Sequence, residues 1–243
     1  MEDKSNIFNS FIQKKLNKRI EDGNFRKLKR DLSSIDFCSN DYLGFARDPL
    51  HLDSIPISTG AASSRLIPGN HSTHFELEDF LKQYFKSESA LFFNSGYDAN
   101  LALFSALGEK EISIIHDQNI HASVIDGIRL GFAKREKFIH NDLNSLEDKL
   151  KKTQGLKMVA IESVYSMDGS CSDLIKIAEL CKIYQSVLIV DEAHSSHVFD
   201  SINHDLEICK EVLGDQLIRL ITFAKAFGLQ GAAVLGSADL INL

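Results

Sequence analysis

The chain has 243 residues, 44% of them hydrophobic, with 27 basic against 34 acidic side chains and a net charge of −7. That is apolar material for one sizeable core, in one large domain or a domain with a small appendage. The basic residues between Lys14 and Arg30 are interleaved with acids and apolar residues, as on a helix surface, so a nucleic-acid patch is not expected. No apolar run approaches the roughly 18–20 residues of a membrane span, and the opening Met1-Glu-Asp-Lys-Ser lacks the apolar core of a signal peptide. Cys38, Cys171, Cys181 and Cys209 show no C-x-x-C spacing. They read as reduced, partly buried thiols of a cytoplasmic protein without a membrane partner.

In chain order, Ile7, Phe8, Phe11, Ile12, Leu16 and Ile20 recur at helical spacing over 7–22, with Gly23 as a stop. This helix and its connector, 1–35, precede a main domain over 36–243. Residues 35–38 read as a short strand leading into Ser39-Asn-Asp-Tyr-Leu-Gly44. Residues 56–73, rich in Pro, Gly, Ser and Thr, read as a long functional loop. Strands are then expected at 90–93, 112–115, 137–140, 158–162, 187–191, 217–222 and 232–235. Helices are expected at 75–85, 97–107, from about 121, and at 146–151, 174–184 and 207–213. The alternation predicts an α/β protein: a mostly parallel, doubly wound sheet with helices on both faces.

The apolar strand 187–191 ends abruptly in Asp191, Glu192 and His194, and the strand 217–222 ends near Lys225. Ligands in open α/β sheets sit at such carboxyl ends. Ser95-Gly96 opens a helix after a buried strand, which suits either an anion site or an ordinary serine cap. His121 at a helix start could stack on an aromatic ligand or lie on a surface loop. Lys225 is either a solvated strand-end charge or a desolvated amine, nucleophilic toward carbonyls. Asp191-x-x-His194 and His71-x-x-His74 supply two ligands each, short of the three or four of a zinc site, so no metal is expected. Their order carries more weight than any one of them: helix start, His121, Ser166, Asp191 with His194, then Thr222 with Lys225, each after a successive strand.

With these go Ser64-Arg-Leu-Ile-Pro-Gly69 with His74 and Glu78, Asn94-Ser-Gly-Tyr97, His140-Asn-Asp142, Glu162-Ser-Val-Tyr-Ser-Met-Asp-Gly169 and Thr222-Phe-Ala-Lys-Ala-Phe-Gly228. In this order, over essentially the whole chain, the sequence resembles the α-oxoamine synthases, pyridoxal-phosphate enzymes of the aspartate-aminotransferase fold. The resemblance implies pyridoxal 5′-phosphate as cofactor, with Lys225, His121 and Asp191 as catalytic residues. Lys225 would hold the cofactor covalently, Asp191 would pair with its ring nitrogen, and His121 would stack on the ring. His194 and Ser166 would contact its phenolic oxygen. Ser95, Gly96, Tyr97 and Thr222 would hold the phosphate, and Arg26 and Asn40 would face the substrate.

The implied reaction joins an amino acid to an acyl-CoA and releases carbon dioxide, in a homodimer. The branch joining L-alanine to pimeloyl-CoA in biotin synthesis fits best, ahead of the branch using glycine and acetyl-CoA. Ala62, Ser63, His197 and Ala224 stand where the family has glycines, with the expectation that they narrow the pocket or shift its acyl preference. The family also continues into a small C-terminal domain, and the expectation is that a chain ending at Leu243 lacks it. A truncated remnant without activity is the reading of a different class.

Overall fold

The computed structural model describes residues 4–27, 35, 37–47 and 61–243, in two compact units, Met1–Cys38 and Ser39–Leu243. In the first, α1 (Lys4–Glu21) ends where the Gly23 and Asn24 amides bond back to the carbonyls of Ile20 and Arg19. Gly23 takes φ 67°, the left-handed conformation that terminates helices and that glycine adopts without strain. Ile7, Phe8 and Phe11 on this helix are more than half exposed. The strand expected over 35–38 does not form among the described residues. Ile35 and Phe37 are 82% and 90% exposed, and β-favouring side chains make a strand only where they pack on a neighbour.

The second unit is built on seven strands: β1 (Ser89–Phe93), β2 (Ile112–Asp117), β3 (Lys134–Phe138), β4 (Leu156–Glu162), β5 (Val187–Asp191), β6 (Leu217–Thr222) and β7 (Ala232–Gly236). Their order in the sheet is β1-β7-β6-β5-β4-β2-β3. β2 to β6 pair in parallel, and β7 runs antiparallel to both β1 and β6. β1 therefore points the same way as β6, and six carboxyl ends open on one edge. The helices are α2 (Ser72–Tyr84), α3 (Gly96–Ala106), α4 (Ala122–Leu130), α5 (Leu143–Lys152), α6 (Leu174–Ile183), α7 (Asp200–Leu213) and α8 (Ala238–Asn242).

Strand side chains alternate between faces, and the two cores follow from that. Val159, Ile161, Leu188 and Val190 pack with Leu146, Leu174, Ile177, Leu206 and Leu213 from α5, α6 and α7. Met158, Ala160 and Ile189 face the other way, onto Ala99, Leu103, Phe104, Val124 and Ile128 of α3 and α4. The central strands are thus apolar on both faces, as parallel strands covered by helices must be. α3 and α4 lie so close that a Cβ on Gly127 would fall 2.8 Å from the Asn100 carbonyl oxygen. A glycine is needed there for close approach, not for backbone freedom.

Within this unit, three elements differ most from the expected ones. β3 lies at Lys134–Phe138 instead of 137–140, because it is a sheet-edge strand of mainly charged residues with no apolar run to mark it. α7 begins at Asp200, seven residues early, with Ile202, Leu206, Cys209 and Leu213 as its buried stripe. α8 is added after β7, capped by Ser237. Of the expected loop, residues 56–60 lie outside the described residues, and α2 begins at Ser72. Between them, Arg65 donates two hydrogen bonds to Glu78, at 2.7 and 2.8 Å, and Glu78 accepts the Phe92 amide at 2.9 Å. That fork ties the loop to β1.

Candidate active site

Asp191 ends β5, Glu162 ends β4 directly beside it in register, and Thr222 ends β6, three residues before Lys225. The α3 start and the segment before α4 bring Gly96, Tyr97 and His121 to the same edge. These residues, with Asn100 and His194, line one cavity of about 160 Å³.

Asp191 is 6% exposed, and its carboxylate is held by two donors. Asn100 Nδ2 donates to Oδ2 at 2.9 Å, and the Ala193 amide donates to Oδ1 at 3.0 Å. Both carboxylate oxygens thus have a donor. Asn100 uses its other amide hydrogen on Ser123 Oγ at 3.0 Å, and the Ser123 hydroxyl lies 2.7 Å from His121 Nδ1. The Ser123 amide also donates to Nδ1, so this nitrogen accepts and the His121 proton sits on Nε2. One buried amide thus orients both a carboxylate and an imidazole. Glu162 beside it is 3% exposed. Burial first, and the Asp191 charge second, push its carboxyl up to about 8. Glu162 therefore holds its proton at neutral pH.

Lys225 Nζ lies 2.6 Å from His194 Nε2. Burial lowers the lysine from its ordinary value, while the Asp191 charge opposes the shift. His194 is lowered to about 4 by burial, then by Lys225 and His121, so its ring is neutral at physiological pH. Its other nitrogen, Nδ1, lies 2.5 Å from the Tyr42 hydroxyl. At the α3 start, Ser95 Oγ accepts the Asp98 amide at 3.1 Å, the cap that fixes the helix entry. The Gly96 and Tyr97 amides belong to the first turn, where helix N–H groups have no intrahelical acceptor and attract anions. The Tyr97 hydroxyl donates to Asp126 of α4 at 2.6 Å.

The structure gathers Gly96, Tyr97, His121, Asp191, His194, Thr222 and Lys225 around this cavity. Ser95 sits beside it as the helix cap. Ser166 is exposed and lines an adjoining cavity of about 180 Å³, reached past His194, with Tyr42 and Phe199. Asn40 accepts from the Tyr42 hydroxyl at 3.2 Å. Arg26 is an exposed residue of the first unit. Sequence reasoning passed over Asn100, Glu162 and Tyr42 as site residues. Glu162 could have been found by the signal that marked Asp191, an acid ending an apolar strand.

Two of the residues in family glycine positions adopt left-handed backbone, Ala62 at φ 55° and His197 at φ 65°. Glycine avoids a cost there of roughly 1–2 kcal/mol. His197 does not reach the cavity wall, contrary to a narrowing of the pocket: it stacks on Phe227 and lies 3.1 Å from the Tyr84 hydroxyl. Ala224 is also outside the lining. Among the described residues, no group of three or more His, Cys, Asp or Glu is placed to hold a metal ion, and no helix is long and apolar enough to cross a membrane.

The chain belongs to the class I and II aminotransferase family, which it matches over residues 33–243. Within that family, the likeness to the α-oxoamine synthases holds. The chain is 36% identical over 219 residues to an 8-amino-7-oxononanoate synthase of Marinobacter nauticus, covering 86% of this chain and 55% of that protein. The 8-amino-7-oxononanoate synthase of Thermosipho melanesiensis is 35% identical over 215 residues, with 86% and 55% covered. The chain thus spans a little over half the length of these curated relatives. Among solved structures, a serine palmitoyltransferase from S. paucimobilis with a bound PLP–myriocin adduct superposes with a TM-score of 0.80 at 25% identity, covering 99% of this chain and 68% of that one. An 8-amino-7-oxononanoate synthase from Francisella tularensis gives a TM-score of 0.69 at 31% identity, covering 87% and 61%.

Pyridoxal 5′-phosphate is the cofactor of this family, and the residues present fit it. A fixed carboxylate suits a ring nitrogen, an oriented imidazole suits a ring face, and first-turn amides with Thr222 suit a phosphate. A desolvated lysine suits an aldehyde.

Proposed function

We propose that this chain carries the cofactor-binding part of an 8-amino-7-oxononanoate synthase, joining L-alanine to pimeloyl-CoA with loss of carbon dioxide. The observation that carries the reading is the one cavity that unites Asp191 and Lys225, after the neighbouring strands β5 and β6, with His121 at the start of α4. When bound, pyridoxal phosphate supplies an electron sink for the carbanion at the substrate α-carbon. Lys225 would hold it covalently, Asp191 at its ring nitrogen, His121 on its face, and Gly96, Tyr97 and Thr222 at its phosphate.

The chain's own groups divide the remaining work. Asp191, fixed by Asn100 and Ala193, keeps a negative charge facing the cavity. Glu162, holding its proton, prevents a second one there. Lys225 Nζ, eased toward neutrality by burial, takes the proton from the amino acid α-carbon. His194 stays neutral beside it and offers a hydrogen bond without adding charge. Asn40 and Arg26 are assigned to the substrate by the family resemblance alone. The acting protein is taken as a homodimer.

The names of the curated relatives favour alanine and pimeloyl-CoA. The TM-score of 0.80 to a serine palmitoyltransferase gives a second reading, with serine and a long-chain acyl-CoA. Free CoA release separates them. With the two pairs offered in parallel, and glycine with acetyl-CoA as a third, release with alanine and pimeloyl-CoA alone is expected. Release with only another pair would overturn the substrate assignment, and release with none would favour the inactive remnant.

A further inference from the structure

Tyr42 meets His194 across 152 residues of sequence, and nothing so far requires that contact. Its hydroxyl lies 2.5 Å from His194 Nδ1 and donates to Asn40 Oδ1 at 3.2 Å. On the opposite edge of the same ring, Nε2 lies 2.6 Å from Lys225 Nζ. Both ring nitrogens are therefore engaged, one by the amine and one by a phenol that is 43% exposed. A continuous hydrogen-bonded path runs from a half-buried lysine to the protein surface.

An ammonium has no lone pair, so Lys225 must lose a proton before it can attack a carbonyl. We propose that Tyr42 is a positioning residue that holds the His194 ring against Lys225, and that the Tyr42–His194 pair carries the Lys225 proton out to solvent. This rests on Lys225 being the residue that takes the cofactor aldehyde. The hydrogen bonds have one consistent direction while the lysine is charged. Lys225 donates to Nε2, Nδ1–H donates to the Tyr42 oxygen, and Tyr42 O–H donates to Asn40 or to water. In the transfer, one proton leaves Nζ for Nε2, a second leaves Nδ1 for the phenol oxygen, and a third leaves that oxygen for water. Lys225 ends neutral, His194 ends neutral in its other tautomer, Tyr42 is unchanged, and no electrons are exchanged.

The low basicity of the ring suits this role, because a ring titrating at about 4 passes protons on without storing one. The other titratable groups at hand are His121, which also lowers His194, Asp191, which lines the same cavity and stabilises the lysine's charge, and Glu162, which lines it holding its proton. Neither carboxyl leads outward: Glu162 is 3% exposed and Asp191 6%.

The test uses cofactor-free protein labelled with ¹⁵N-lysine and reads the exchange of the Lys225 Nζ protons with water by NMR. In Tyr42→Phe, exchange at pH 7 should slow by about tenfold, a modest proton-transfer effect, and should rejoin the wild-type rate at higher pH, where hydroxide takes the proton directly. An unchanged rate at pH 7, or a deficit equal at every pH, would overturn the relay. A second measurement needs no variant. In ¹⁵N-histidine-labelled wild type, the His194 proton should sit on Nδ1 at neutral pH, and finding it on Nε2 would equally overturn the proposal. Pyridoxal phosphate serves as a second probe. If it leaves Lys225 unmodified while Nζ exchange shows the expected pH pattern, the functional reading fails and the relay stands.

Discussion

Replacing Glu162 with glutamine gives a measurable pH signature. Glu162 is 3% exposed and lies in register with Asp191. Burial, then the Asp191 charge, raise its carboxyl from an ordinary 4.5 to about 8. Between those values the folded chain holds a proton that the unfolded chain releases. The unfolding free energy therefore falls as pH rises through this window. The contribution of neutral Glu162 is fully present below about 4.5 and is lost as pH passes through about 8. A gap of about 3.5 pH units, at about 1.4 kcal/mol each, sets its size on the order of 5 kcal/mol. Glu162→Gln keeps the volume and the neutral form but cannot ionise. Denaturant unfolding of both proteins, followed by circular dichroism from pH 5 to pH 9, isolates the group because all other titrations cancel in the difference. The two should agree within about 1 kcal/mol at pH 5 and diverge steadily above it, the variant being several kcal/mol more stable at pH 9. A difference constant with pH would refute the assignment of the proton to Glu162.

Asn100→Ala removes the donor shared by Asp191 and Ser123 at a site 2% exposed, and should cost about 1–3 kcal/mol in urea unfolding. Asn100→Asp, which sets a third carboxyl beside Asp191 and Glu162, should cost more at pH 8 than at pH 5, and an equal cost at both would count against the charge argument. Glu192 and Arg219 form a buried two-pronged ion pair, with side chains 0% and 13% exposed. Glu192→Ala should cost about 3–5 kcal/mol because it strands the guanidinium, whereas Glu192→Leu combined with Arg219→Met should recover most of that. Additive losses in the double variant would show that the two residues act independently.

Much of this arrangement was legible because parallel strands buried on both faces must be apolar and must stop at an edge. The runs ending at Asp191 and Thr222 show that edge directly, and β4, β5 and β6 lie where the sequence puts them. β3 was misplaced because an edge strand carries charges instead of an apolar run. The expected N-terminal strand does not form among the described residues, because Ile35 and Phe37 have the side chains of a strand but lie exposed. Within the site, Asp191, His121 and Lys225 announce themselves as chemistry-bearing residues at element ends. Asn100 does not, since a polar residue inside a helix looks like a surface residue until the helix face is known to be buried. Tyr42 is invisible for a different reason: its partner lies 152 residues away, and no local pattern encodes that distance.

The central claim is that Lys225 is the residue that bonds to pyridoxal phosphate. The direct measurement is to mix the protein with pyridoxal phosphate, reduce with borohydride, digest, and locate the added mass. One equivalent of cofactor fixed on the peptide containing Lys225, and absent from Lys225→Ala, is the predicted result. Retention of a stoichiometric adduct in Lys225→Ala would contradict it.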